Sequence, residues 1–208
     1  MSTEEHTSNP RGGEPPELRE LSDARTMRAL SHPVRLALIE TLGLAGPLTA
    51  TQAGERIGES PTTCSFHLRQ LAKYGFVEEA GGGSGRARPW RLSSRGMRFS
   101  TEHDDPETNL AAGELARMLR ERQLDRYRAW LEAKGSYSRT WREAAENSEF
   151  IMWMTADELT EFNRDLVELL VPRFRERQTD PSARPPGALP VELLLFSYPL
   201  TSIPEGQP

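Results

Sequence analysis

At 208 residues, with 36% hydrophobic and 27% charged side chains and a single cysteine, Cys64, the chain has room for one large or two small domains and excludes an intrachain disulfide framework. Its longest apolar runs, such as VELLLF, fall far short of the roughly 20 residues a membrane-spanning helix needs, and no charged-then-apolar leader opens it, so a cytoplasmic protein without membrane contact is expected. The net charge of −5 hides a split: residues 1–21 hold two basic and five acidic side chains, 22–100 eleven and six, and 101–208 thirteen and twenty, the distribution expected when one part meets phosphate and another meets protein or ligand.

The opening residues are rich in Pro, Gly, Ser and Glu and nearly without apolar side chains. They cannot repay the entropy of ordering, so 1–20 is expected to be a disordered arm. From Leu21 onward Met27, Leu30, Val34, Leu38, Ile39 and Leu42 recur at helical steps around a break at His32-Pro33, which predicts two short helices. Thr49 with Gln52 is a capping box for a third, ending near Gly58. Ser60 and Pro61 then suit the cap and first position of a fourth, PTTCSFHLRQLAKY, stopped by Gly75. Next, FVEEA and RPWRL predict a hairpin around the tip GGGSG, a candidate wing. The polar stretch SSRGMRFSTEHDDPE sets a domain boundary near residue 100.

Beyond that boundary, Glu107 to Lys134 reads as a long helix, FIMWM as a strand, and Thr155 with Glu158 as a capping box for a helix bearing Leu159, Phe162, Leu166, Leu169 and Leu170. VELLLFSYPL reads as a strand buried on both faces. The expected fold class is therefore α+β and mainly helical. A winged helix-turn-helix over 21–100 precedes a helical dimerisation and effector domain with short strands over 101–201, and 202–208 is a disordered tail.

In the helix after Pro61, Cys64, Leu68 and Leu71 share the stripe that should face the core, while Thr62, Thr63, Phe66, Arg69, Gln70 and Lys73 project elsewhere. Short hydroxyls at a helix start reach phosphates or bases, Arg offers bidentate donors to guanine, Gln suits adenine, and Phe meets a thymine methyl. Arg86 and Arg88 flank the wing tip, where cations enter a minor groove or clamp a backbone. The partner these residues predict is double-stranded DNA.

The ordered series ALSHPVRLALIETL, LTATQAGERIGESPTTCSFHLRQLAKYGFVEEA and RPWRLSSRG resembles the winged helix-turn-helix domain of the ArsR family of bacterial repressors. The resemblance covers about residues 22–98, implies a transcription regulator, and adds Ser65 and His67 as DNA-contacting residues. For His67 the residues leave a second reading open, a buried ring that hydrogen-bonds locally. The C-terminal half resembles the region C-terminal to this domain in larger actinobacterial members.

Metal-sensing relatives use cysteine pairs that AGERIGES lacks, so no metal or other cofactor is expected, and Cys64 is expected to be core packing. No phosphate loop, nucleophile elbow or His-Glu-x-x-His motif is present, so no enzymatic activity is expected.

Two-fold DNA half-sites call for a two-fold protein, a homodimer, with Leu115, Met118 and Leu119 as the candidate interface. Ten of the fifteen aromatic residues lie beyond residue 100. Tyr127, Trp130, Trp141, Phe150, Trp153 and Phe196 are candidates for an apolar pocket that binds a small-molecule effector, against the alternative that they form a core or dimer packing. The competing functional reading is a protein-interaction module whose winged-helix scaffold no longer binds DNA.

Overall fold

The computed structural model describes residues 18–81, 88–94 and 96–200, except the side chains of 18, 171–176, 178, 179 and 181. The elements run β1 (Leu18–Glu20), α1 (Ala24–Leu30), α2 (Pro33–Ala45), α3 (Ala50–Ile57), α4 (Pro61–Lys73), β2 (Val77–Glu79), β3 (Trp90–Leu92), β4 (Gly96–Arg98), α5 (Pro106–Ala133), α6 (Arg139–Ala144) and α7 (Ala156–Thr179). The mainly helical α+β class expected from the sequence is the class observed. Two compact units divide the chain, 1–129 and 130–208. Among the described residues no helix is long and apolar enough to cross a membrane.

In the first unit each helix starts where its cap dictates. Asp23 Oδ1 accepts the Thr26 N–H at 2.8 Å at the head of α1, and the His32 ring accepts from Val34 N–H at 3.2 Å ahead of Pro33 at the head of α2. The core joins Met27 and Leu30 of α1, Leu36, Leu38 and Leu42 of α2, Ala53 of α3, Cys64, Leu68 and Leu71 of α4, Phe76 and Val77, and Ala111, Ala112 and Leu115 of α5. The thiol of Cys64 is buried there, which pushes its pKa up, with the Glu59 charge acting in the same direction.

Strands β2 and β3 pair antiparallel, Val77 opposite Leu92 and Glu79 opposite Trp90. Leu48 extends the ladder by exchanging two backbone hydrogen bonds with Trp90, 3.0 and 2.8 Å. This is the hairpin predicted from FVEEA and RPWRL. Its tip, residues 82–87 with Arg86, lies outside the described residues, as do 1–17 of the expected arm and the tail beyond 200.

Four expectations need correction. Residues 18–20, assigned to the arm, form β1 and pair in parallel with β4, Arg19 opposite Met97; the polar stretch read as a boundary therefore contains a strand. The boundary near 100 also moves, because the first turns of α5 bury Thr108, Ala111, Ala112 and Leu115 in the first unit. Bidentate hydrogen bonds from Arg122 (3.1 and 2.7 Å) and a further one from Arg126 (2.6 Å) fasten the same helix to Glu40 of α2. Burial works to raise the Glu40 carboxyl, but these two guanidiniums outweigh it and hold the group below the usual carboxylate range.

Leu115, expected at a dimer interface, is wholly buried in the core of the first unit, and Met118 and Leu119 pack half-buried against it. In the second unit, α7 begins at the predicted Thr155/Glu158 box, with Glu158 N–H donating to Thr155 Oγ1 at 3.2 Å. The strands expected at FIMWM and VELLLFSYPL do not form. Both segments lack regular secondary structure and are almost wholly exposed, with no neighbouring edge to complete a ladder among the described residues.

Candidate nucleic-acid interface

Helix α3, a tight turn and helix α4 compose the site. Thr49 Oγ1 accepts from Gln52 N–H at 3.2 Å while Gln52 Oε1 accepts from Thr49 N–H at 2.9 Å, closing the capping box. Gly58 ends α3 in the left-handed region, φ 73°. Gly54 sets how near the two helices come: a Cβ there would stand 2.5 Å from the Glu59 carbonyl oxygen and 3.5 Å from Cys64 Sγ. Ser60 Oγ then accepts the Thr63 N–H at 3.0 Å and shares a hydroxyl hydrogen bond with Thr63 Oγ1, with Pro61 in the first turn.

Anchored this way, α4 turns Cys64, His67, Leu68 and Leu71 inward. Thr62, Phe66, Arg69 and Lys73 are exposed, and Thr63, Ser65 and Gln70 are half-buried at the margins. Phe66, 53% exposed, is a large apolar side chain left facing solvent on a polar ridge. Arg69 rests its Nε on the Ser65 carbonyl, 3.1 Å, which holds the guanidinium along the helix. The Lys73 ammonium lies 5.7 Å from the centre of the Tyr74 ring.

His67 departs from the groove-facing role that the resemblance implies. Only 8% exposed, it stacks on His32 with ring centroids 4.5 Å apart and meets Phe66 edge-on at 5.2 Å. Its Nδ1 is buried without a hydrogen-bond partner among the described residues. Desolvation lowers its pKa, and His32 and Arg35 add to the effect against a smaller opposing pull from Glu59. Its place on the stripe was readable, since 64, 67, 68 and 71 are helical neighbours.

On the wing stem Arg88 bridges Glu79 at 2.7 Å and Arg91 bridges Glu78 at 2.7 Å, so both cations are already paired across the hairpin. Three other cations escaped the sequence reading. Arg25 and Arg28 of α1 and Arg35 of α2 surround a concavity completed by Ala29, Gln70 and Tyr74. Their one signal in sequence is the i, i+3 spacing of Arg25 and Arg28 on a helix inside the basic segment.

The six aromatic residues expected to form a pocket do not line either principal concavity among the described residues. Tyr127 is half-buried in the first unit. In the second unit Trp130 and Trp141 are half-buried, whereas Phe150 (77%), Trp153 (88%) and Phe196 (47%) stand exposed.

Among known proteins, no curated one matches the chain. Among solved structures it is similar to a MarR family transcription regulator, at 17% identity over 74% of this chain and 78% of that one, with a TM-score of 0.31. Residues 30–80 match a family described as a helix-turn-helix domain, and these are the residues that carry α2, α3, α4 and β2; the chain thus contains a helix-turn-helix domain.

Proposed function

We infer that the protein is a sequence-specific DNA-binding transcription regulator, acting as a homodimer and, on its resemblance to the ArsR repressors, as a repressor. The observation that carries this is the exposed ridge of α4. A capped helix within a helix-turn-helix presents Thr62, Phe66, Arg69 and Lys73 on its solvent side, the chemistry that reads base edges and phosphates in a major groove. Thr63, Ser65 and Gln70 extend the contact at its margins, and Arg88, on the stem of the wing, would follow the adjacent backbone, as Arg86 is expected to from its place in the sequence.

The test is binding of the full chain to its own upstream region and to a scrambled duplex across a salt series. Arg69→Ala should cost the specific duplex about 1–3 kcal/mol and the scrambled one far less. Salt-insensitive or absent binding to both duplexes, and to a random-site library, would favour the protein-interaction reading instead.

The homodimer draws support from two surfaces. On α5, Leu110 is exposed beside Gly113, Glu114 and Arg117, which line an open groove along the helix. In the second unit, the segments 150–154 and 191–200 leave Phe150, Trp153, Phe196 and Tyr198 uncovered along with several aliphatic side chains. Aromatic side chains bury about 150–250 Å² each, so with the aliphatic ones they approach the roughly 800 Å² per partner of a standard interface. The exposed aromatic residues are accordingly assigned to packing between copies rather than to a ligand. Sedimentation of the wild type against a Phe150→Ser/Trp153→Ser variant checks it: a dimer that becomes a monomer supports the assignment, and an unchanged mass removes it.

A further inference from the structure

Beside the ridge of α4 lies a concavity of about 310 Å³, walled by Arg25, Arg28 and Ala29 of α1, Arg35 of α2, and Gln70 and Tyr74 at the end of α4. Three guanidiniums meet there with little to balance them. Arg28 bridges Glu107; Arg25 and Arg35 pair with no carboxylate among the described residues. Arg35 spends one donor on the Arg28 carbonyl, 3.2 Å, and its Nε is buried with no partner among the described residues. Burial lowers the Arg35 pKa, with Tyr74 pulling weakly the other way, so the site holds a cation at a cost that a bound anion would offset.

The position of this concavity selects the anion. Thr63, Gln70 and Tyr74 lie along one flank of α4, next to the exposed row Thr62, Phe66, Arg69 and Lys73. A helix with side chains is about 10–12 Å across, close to the roughly 12 Å width of the major groove. When the exposed row faces the bases, the flanks face the phosphates on the two rims. We propose that Arg25, Arg28 and Arg35 form a sequence-neutral clamp for the DNA backbone along the Gln70 side of α4, a contact that rests on the DNA-binding reading above. Arginine suits it because its fork of donors matches two phosphate oxygens at once.

Full-length wild type, Arg25→Ala and Arg25→Ala/Arg35→Gln are titrated onto the preferred and scrambled duplexes from low to moderate salt, with melting curves as a check on folding. Arg25 is exposed and carries no ion pair among the described residues, so its replacement should leave melting unchanged. The clamp requires that Arg25→Ala weaken both duplexes by the same factor, roughly tenfold, and flatten the log–log salt slope by about one. In a methylphosphonate scan, neutralising one rim phosphate should weaken the wild type and leave Arg25→Ala indifferent, a readout that stands even if the double variant fails to fold. Wild-type slope and affinity in Arg25→Ala would overturn the clamp while leaving the DNA-binding reading intact, and so would a loss confined to the preferred duplex. A wild type that binds no duplex would overturn both.

Discussion

Helices α4 and α7 obey the same local rules and end in opposite circumstances. Each starts at a hydroxyl residue hydrogen-bonded to the backbone three residues on, Ser60 to Thr63 and Thr155 to Glu158, and each carries apolar side chains at helical spacing. Along α4 those side chains, Cys64, Leu68 and Leu71, are wholly buried, whereas on α7 Val167 and Leu169 face solvent. Caps and periodicity decide that a helix forms. Burial depends on what the rest of the chain, or a second chain, lays against it.

The sharpest way to break the comparison is to remove one leucine from each helix. Leu71→Ala should cost the first unit about 2–5 kcal/mol, since its site is sealed, read as faster hydrogen exchange throughout α3 and α4. Leu169→Ala should leave stability within about 0.5 kcal/mol of wild type, because that side chain already faces solvent. Equal losses of stability would show that Leu169 is packed as closely as Leu71.

Gly54→Val attacks the approach of α3 to α4. Its Cβ would meet backbone, which cannot swing aside, so about 1–3 kcal/mol of overpacking is expected, with DNA affinity falling as the turn shifts. Glu40→Ala leaves Arg122 and Arg126 without their shared partner and should cost about 2 kcal/mol, visible in the melting temperature. Because Glu40 is held below the usual carboxylate range, its contribution is present above that range and vanishes as pH falls through the depressed value.

The smallest effect separates the histidines from that carboxylate. Both His32 and His67 have lowered pKa values, burial being the main cause. The unfolded chain therefore binds protons first, and stability declines as pH drops below about 6.5. His67→Phe should blunt the decline that sets in below about pH 6.5 and leave the Glu40-linked loss at lower pH intact. An unaltered pH profile of melting would remove the histidine pair as its source.

How much was legible in the sequence depends on the range of the forces involved. Caps at Thr49, Ser60 and Thr155 act over three residues and were readable, as were the break at His32-Pro33 and the pairing of FVEEA with RPWRL across a short loop. Strands β1 and β4 were not, because three residues each of LRE and GMR carry no periodicity, and only pairing across the domain makes them strands. The division of α4 into an inward stripe and a solvent-facing row was legible from its helical period, whereas at His67 the resemblance suggested exposure and the stripe led inward. Arg25, Arg28 and Arg35 were missed because their convergence on Gln70 and Tyr74 depends on how α1, α2 and α4 stack. The strands expected at 150–154 and 191–200 follow β-propensity faithfully, but a strand needs an edge to pair with, and one chain's propensity does not supply it.

The parallel pairing of Leu18–Glu20 with Gly96–Arg98 also orders the assembly of the first unit in time. Its two partners are separated by most of the helix-turn-helix, so the loop they close is long and the closure entropy must be met before any strand hydrogen bond forms. The helices, with their local caps, come first and the seam comes last. A chain shortened to begin at Leu21, where the helical pattern starts, would keep the capped helices yet leave the Gly96–Arg98 backbone without its partner strand, so that both of its edges, not one, lie open to another chain.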